Sequence, residues 1–277
     1  MNRANISVVV PFYNSVDTIE RAVNSVISQS LQPKEIIIVD DKSSEAASEF
    51  IKSLVEITSN KTDINLLLFT MQMNSGAGEA RNLGWLKASG EFIAFLDADD
   101  MWLPNKLEIQ YGFFKSDPDL ILCGHKYIVA KDENMLCNMS HTSKIKKDIF
   151  NNFMVITKKR QLLRNRFATS TVMIKNTINN RFEKNKRYSE DFLLWSEIIS
   201  SGHKAVKIET SLTVYFKSVF GDSGLSSNLS KMFIGNLKSY KTLYKKGFIK
   251  LSCFFIYTSI SCIRFIRRVL IVFIRNI

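Results

Sequence analysis

Asp97, Asp99 and Asp100 fall within four positions of "FLDADDMW", directly after the apolar run "EFIAFL". Carboxylates this close repel one another unless the chain turns into water or a cation sits among them. In a D-x-D at a strand end the alternate side chains point the same way. Hard divalent ions prefer carboxylate oxygen, and Mg2+ usually takes one or two carboxylates together with substrate phosphates. The plainer alternative is a solvated acidic turn. Three features weigh against it: the acidic run follows a buried strand, Asp40 and Asp41 approach from a neighbouring strand, and Arg81 lies in the element between.

Such residues need a scaffold that brings them together. "ISVVVPF" (6–12) and "EIIIVDD" (35–41) read as buried strands, β-branched and nearly continuous. Between them Ile19, Ala22, Val23, Val26 and Ile27 recur at helical spacing, with Pro33 as the break. A second helix is predicted over 44–57 and a third strand at "LLLFTM" (66–71). "GAGEARNLGWLKASG" reads as a helix ending near Gly90, and "EFIAFLD" as a fourth strand. This alternation predicts an α/β fold with a mainly parallel central sheet flanked by helices, in which ligands bind beyond the carboxyl ends of the strands. Tyr13-Asn14, Asp40-Asp41 and Asp97 to Asp100 all fall at such ends, so three polar clusters share one sheet edge. Further on, "LILCGHKYIVA" and "TSTVMIK" read as strands, while 132–166 is polar and carries no clear period. "SEDFLLWSEIISSGH" predicts a helix capped by Ser189 and stopped by Gly202.

The net charge of +12 is unevenly placed. No acidic residue follows Asp222, whereas Lys231 to Arg275 supply ten Lys or Arg, leaving 28 basic against 26 acidic side chains before them. The 45% hydrophobic and 23% charged content excludes a disordered chain. Cys123, Cys137, Cys253 and Cys262 have no zinc-type spacing and demand no disulfide, which fits a reducing cytosol. The apolar run in "MNRANISVVVPF" is too short for a signal peptide, so export is not expected.

Three segments together carry a resemblance: "SVVVPFYNSVDTIERAVNSVISQSLQPKEIIIVDDKS", "NSGAGEARNLGWLKASGEFIAFLDADDMWLPNKLE", and "SEDFLLW" about ninety residues later. In this order and spacing the chain, over roughly residues 5–220, resembles a family 2 glycosyltransferase of the GT-A fold, of the kind that builds bacterial surface polysaccharides. The resemblance implies roles for matching positions. Tyr13 and Asp41 would hold the nucleotide base, by stacking and by accepting a hydrogen bond from uracil. Pro11 would shape the strand end. Asp97 would face the ribose or donor sugar with Ala98 beside it, and Asp99 would be the direct ligand of Mn2+ or Mg2+. Arg81 would lie near the diphosphate or else simply pair with an aspartate. Asp40 and Asp100 either join the site or hold loops. In the second acid pair Asp191 would be the base, with Glu190 and Trp195 on the acceptor side; the alternative is that both acids complement a helix dipole. Many relatives carry Tyr-Arg-x-His after the catalytic helix; here Lys217 fits the Arg position and Val219 replaces the His. His125, His141 and His203 are isolated and read as structural. Asp41 is expected to meet solvent, so that Asp41→Ala would weaken UDP binding more than folding.

The chain's end, "FIKLSCFFIYTSISCIRFIRRVLIVFIRNI", has thirteen uncharged residues at most, from Leu251 to Ile263, short of the roughly 20 that span a bilayer. On a helix Lys246, Lys250, Arg264, Arg267, Arg268 and Arg275 share one stripe of about 100°, opposite an apolar face. That pattern predicts a helix lying on an anionic membrane surface through 248–277, or else one packed on the core or a second subunit. Nucleic acid is not expected as a partner, because the aromatics sit in the apolar face rather than among the charges. The expected layout is a catalytic domain over 1–222, with a nucleotide-sugar half (1–103) and an acceptor half (104–222), followed by a basic amphipathic tail (223–277). The expected activity is inverting, metal-dependent transfer from a UDP-sugar to a saccharide or polyprenyl-diphosphate-linked saccharide, as in O-antigen or capsule biosynthesis, at the inner face of the cytoplasmic membrane. The rivals are a sugar nucleotidyltransferase, whose usual Gly-rich loop "PFYNS" does not supply, and a non-catalytic peripheral membrane protein.

Overall fold

A computed structural model describes residues 3–130, 147–216 and 228–275. The side chains of 147–148 and 272–275 lie outside this description, as do Cys137, His141, Lys217 and Val219. Among the described residues nine strands form one sheet. Its first half is β1 (Arg3–Phe12), β2 (Gln32–Asp40), β3 (Asn65–Thr70) and β4 (Phe92–Phe95), in the order β3-β2-β1-β4 and wholly parallel. Strand β1 lies between two partners and is buried without a break over its last seven residues, as its apolar run requires. The sequence reading holds here with one correction. Pro33 does not mark a break but lies inside β2, paired with Ala4 where the β1–β2 register shifts. That position tolerates a residue with no N–H.

Helices α1 (Val16–Ile27), α2 (Glu45–Ser59) and α3 (Ala77–Lys87) make the crossovers. Ile19, Ala22, Val23 and Val26 form the buried face of α1. Helix α3 needs close approach to the sheet: a Cβ at Gly84 would meet Val9 Cγ1 at 2.4 Å. It ends three residues before Gly90.

The second half of the sheet is mixed. It contains β5 (Asp100–Trp102), β6 (Leu120–Val129), β7 (Phe153–Val155), β8 (Met173–Lys175) and β9 (Lys204–Tyr215). Strand β6 runs parallel to β9, while β8 pairs antiparallel with β4 and β6, and β5 and β7 pair antiparallel with β9. The predicted strand over 169–175 is a 3-10 turn (Thr169–Thr171) followed by the short β8. Helices α4 (Lys106–Ser116), α5 (Lys158–Leu163) and α6 (Glu190–Ser200) complete this half. Ser189 precedes α6 as expected, but with a left-handed φ of 56° and a hydroxyl turned to the Met232 carbonyl instead of capping the helix.

The tail is helical and partly docked. Helix α7 (Leu229–Lys245) and the start of α8 (Leu251–Arg275) share a small core, in which Leu162, Phe192 and Leu193 meet Tyr240, Leu243 and Ile249. The Tyr240 hydroxyl donates to the Leu162 carbonyl at 2.7 Å, and Lys246 pairs with Glu197 at 2.7 Å. No helix among the described residues is long and apolar enough to cross a membrane.

Candidate active site

Three strand ends and the start of α6 converge on one edge of the sheet. Tyr13, just past β1, is 51% exposed, as a stacking platform must be. Behind it Pro11 is buried and paired with Val39. Asn14, at φ 50°, ties the ends of β1 and β2 together, donating from its backbone N–H to Ser43 Oγ and accepting from the Ser44 N–H.

Asp41 does not meet solvent; it is 3% exposed. Its two carboxylate oxygens accept from the backbone N–H groups of Ser75 and Gly76, each at 2.7 Å, and its carbonyl accepts from Asn74. Gly76 precedes α3 with φ +93°, a conformation that favours glycine. Asp41 is therefore the anchor of the 74–76 turn, which corrects the expectation that its loss would spare folding. Asp40 is also committed, accepting from the Ser43 N–H and the Ser48 hydroxyl.

The acidic run divides its work. Asp100 opens β5 and accepts the Ser170 hydroxyl proton deep in the core, so it holds a loop. Ser170 in turn accepts from the Asp97 N–H at 3.1 Å. Ala98 is buried at 5% exposure, which leaves Asp97 and Asp99, both half-buried, as the outward-facing pair. The Asp99 carbonyl accepts from Arg21 at 3.0 Å, and the Arg21 guanidinium stacks 3.5 Å above the Phe216 ring.

Arg81 joins this edge to α6. Its guanidinium donates to Asp97 Oδ1 at 2.6 Å and to Glu190 Oε1 at 3.4 Å, and its side chain is only 5% exposed. Burial alone would lower its proton affinity, but Asp97 and Glu190 outweigh that and hold it firmly charged. Asp191, next in sequence, accepts from Asn165 Nδ2 at 2.7 Å. Burial raises the pKa of Asp191, and bonds from the Phe192 N–H and Asn165 only partly offset this. Glu190 is pushed up to about 7 by burial and by Asp191 beside it, against the pull of Arg81. Two partly buried acids and one buried arginine thus share a single site, and burial raises the proton affinity of both acids.

Trp195 is a correction. It is fully buried, with ring centroids 6.2 Å from Phe95 and 5.8 Å from Phe182. It is a core residue and offers no face to an acceptor. His125 is likewise buried in the core, and Lys217 lies outside the described residues. Sequence reasoning missed Arg21, Asn165 and Ser170. Asn165 sits in the stretch without a period, and Ser170 was absorbed into a predicted strand.

Beside Asp191 a cavity of about 400 Å3 opens between α6, the 164–168 segment and the tail helices. Tyr127, Arg164, Arg166, Lys207, Arg264 and Arg268 line it, with Phe233 and Phe265. Arg264 and Arg268 belong to the predicted outward basic stripe. Here they turn inward, and Leu251, Phe255, Ile256, Ile263, Ile266 and Leu270 form the exposed face of α8.

Known proteins share this architecture. A mannosyltransferase from Pyrobaculum calidifontis, solved with GDP-Man and Mn2+, superposes with a TM-score of 0.60 at 18% identity, over 88% of this chain and 65% of its own. This likeness is one of fold. An Escherichia coli UDP-Glc:alpha-D-GlcNAc-diphosphoundecaprenol beta-1,3-glucosyltransferase, WfaP, is 28% identical over 252 residues, covering 91% of this chain and 92% of the relative. An uncharacterized glycosyltransferase of Rickettsia bellii is 31% identical over 199 residues, 71% of this chain; the chain spans only 26% of that relative's length. Residues 7–182, which run from β1 past β8 and include the whole acidic edge, match the glycosyl transferase family 2 domain. With a GT-A sheet carrying that edge and more than half its length matched, the chain belongs to glycosyl transferase family 2.

Proposed function

We propose that the chain is an inverting glycosyltransferase that moves a sugar from a UDP-sugar to a lipid-linked saccharide in surface-polysaccharide synthesis. The observation that carries the reading is the Arg81 junction. Through it the acidic strand end and the Glu190-Asp191 pair lie one side chain apart, as donor and base must in a direct displacement. Tyr13 stacks on the base of the nucleotide. Asp41 acts mainly by shaping the turn beneath it.

Among the described residues no group of three or more His, Cys, Asp or Glu encloses a metal ion. An ion that arrives with a diphosphate needs only one or two carboxylates, and Asp99, with Asp97 two residues away, fits that requirement. Asp99 would hold Mn2+ or Mg2+, which when bound offsets the charge building on the leaving diphosphate. The chain's own chemistry falls to Asp191. An acceptor hydroxyl attacks the anomeric carbon, the bond to the phosphate oxygen breaks, and Asp191 takes the hydroxyl proton. Asn165 orients that carboxylate, and Glu190 stays paired with Arg81.

The catalytic unit extends over 1–222, with the donor half in 1–103 and the acceptor half in 104–222. Helix α8 meets the inner face of the cytoplasmic membrane through its exposed apolar side, supported by the exposed Arg267 at its edge.

Screening UDP release across a panel of UDP-sugars, with and without Mn2+, tests the reading. Release from one donor that Asp99→Asn abolishes is the expected result. Full activity of Asp99→Asn, or of the wild type in excess chelator, would overturn the metal role. A chain inert toward every donor would favour a non-catalytic scaffold.

A further inference from the structure

The cavity beside Asp191 carries more positive charge than the proposed base can use. Arg164 and Arg166 enter from the segment after α5, Lys207 from β9, and Arg264 and Arg268 from α8. Among the described residues lining the cavity, Asp191 is the one acid, and it already accepts from Asn165. Some of the cationic groups spend a donor on main-chain carbonyls: Arg264 on Leu163, Arg166 on Arg160 and Lys207 on Arg166. A carbonyl neutralises no charge. Each guanidinium has five N–H groups, so donors remain for a ligand. The crowding is also felt in proton affinity. Arg166 is lowered first by burial and then by Arg164, Arg160 and Arg264, against a smaller pull from Glu209, and Arg268 by burial and then by Arg164 and Arg264. Five cationic groups from three parts of the chain thus meet with one acid in the cavity lining and Glu209 behind Arg166 and Lys207, an excess of positive charge that an anion would offset.

We propose that this cavity binds the diphosphate through which the acceptor saccharide is joined to its lipid, with α8 supplying Arg264 and Arg268 as one wall. The assignment rests on Asp191 being the base, since the acceptor must then lie in the same cavity. The donor's diphosphate is not the occupant. Tyr13, Asp41, Asp97 and Asp99 do not line the cavity, and Asp191 stands at the wall between the two compartments. The size suits a small ligand, since about 400 Å3 falls within the roughly 300–1,000 Å3 of small-molecule sites. Guanidinium forks match phosphate oxygens two at a time. Phe233 and Phe265, stacked with centroids 4.5 Å apart, give the same cavity an apolar flank where the lipid's first carbons would lie. The inward turn of the basic stripe thereby acquires a function: the tail completes the acceptor site.

Calorimetric titration of the full chain with geranyl diphosphate, in saturating UDP and Mn2+ so that the donor site is filled, tests this directly; geraniol is the uncharged control. Wild type is expected to bind geranyl diphosphate and to bind geraniol far more weakly. Arg264→Gln should weaken geranyl diphosphate by roughly 10-fold or more while UDP affinity is kept. Because Arg264 also bonds the Leu163 carbonyl, Arg164→Gln is the second variant; it is exposed and enters from the segment after α5 rather than from α8, and the same loss is expected. Unchanged affinity in both variants, equal binding of geraniol, or a parallel loss of UDP affinity would each overturn the proposal. Displacement of geranyl diphosphate by phosphatidylglycerol vesicles would also overturn it, making the cavity a headgroup site. Geranyl diphosphate binding at these arginines in a chain inert toward every donor would support the cavity while overturning the transferase reading beneath it.

Discussion

Replacing Arg81 by Met tests the junction on which the site is built. The guanidinium is 5% exposed and faces Asp97 at 2.6 Å and Glu190 at 3.4 Å, whose side chains are 28% and 13% exposed. Removing one partner of a buried ion pair costs about 3–5 kcal/mol, because the remaining charge is left in a poorly solvated place. Asp97 has partial access to water and can recover some hydration, so the lower end, about 3 kcal/mol, is expected. In a chain of this size that corresponds to a fall in Tm on the order of 10 °C. Urea unfolding of Arg81→Met, Glu190→Gln and the double variant closes a cycle. With Glu190 already neutral, losing Arg81 should cost less, giving a coupling of about 1–3 kcal/mol. A destabilisation under about 1 kcal/mol by Arg81→Met, or no coupling in the cycle, would refute the reasoning.

Further expectations concern the other charged groups. Asp191→Asn keeps the shape but loses the proton acceptor, so transfer should fall roughly 100-fold or more with UDP affinity retained; transfer near the wild-type rate would move the base to Glu190. Asp41→Ala should lower Tm and UDP affinity together, because two backbone N–H groups lose their partner, and a variant with unchanged melting would restore the solvent-facing reading. His125, fully buried, is lowered from 6.5 to about 3 by burial and by Lys106, so from pH 6.5 downward the unfolded chain binds a proton that the native one refuses and stability falls. Glu190 opposes this between about 7 and 4.5, where the native chain holds the extra proton. Glu190→Gln should therefore steepen the acid loss of Tm between pH 6.5 and 4.5, and equal slopes would contradict that balance.

The first half of the fold was legible because a parallel crossover unit writes its period into the chain. Buried strands such as β1 are continuous apolar runs, and α1 repeats Ile19, Ala22, Val23 and Val26 on one face. Strand ends carry polar residues only where the chain leaves the core, so the shared edge of Tyr13, Asp41 and Asp97 could be read without coordinates. The second half was harder. Strands of three residues, such as β5 and β8, are too short to show a period, and Asn165 reaches Asp191 across 26 positions. Burial was the other blind spot. Asp41 was expected to face water, yet it satisfies buried donors, and of the two roles open to Asp100 the structure takes the loop-holding one. The resemblance implied an acceptor-side place for Trp195, yet its neighbours Phe95 and Phe182 enclose it.

The tail shows why a helical projection fixes angles between residues but not the direction in which the helix faces. The basic stripe and the apolar face of α8 are both present: the apolar face is exposed, Arg267 stays exposed, and Arg264 and Arg268 turn toward the cavity. Tyr257 stacks on Tyr240 and Phe265 on Phe233, and these aromatic contacts with α7 set the rotation of α8 about its axis. Arg264, seven residues after Tyr257, and Arg268, three after Phe265 and eleven after Tyr257, share the helix face of those rings and follow them inward. What remains outside is Ile256, Ile263, Ile266 and Leu270, a surface that water disfavours and hydrocarbon does not. The proposed membrane attachment would draw on apolar burial through this face, which salt does not screen. Two of the charges that a purely electrostatic docking would use, Arg264 and Arg268, line the cavity beside Asp191 instead.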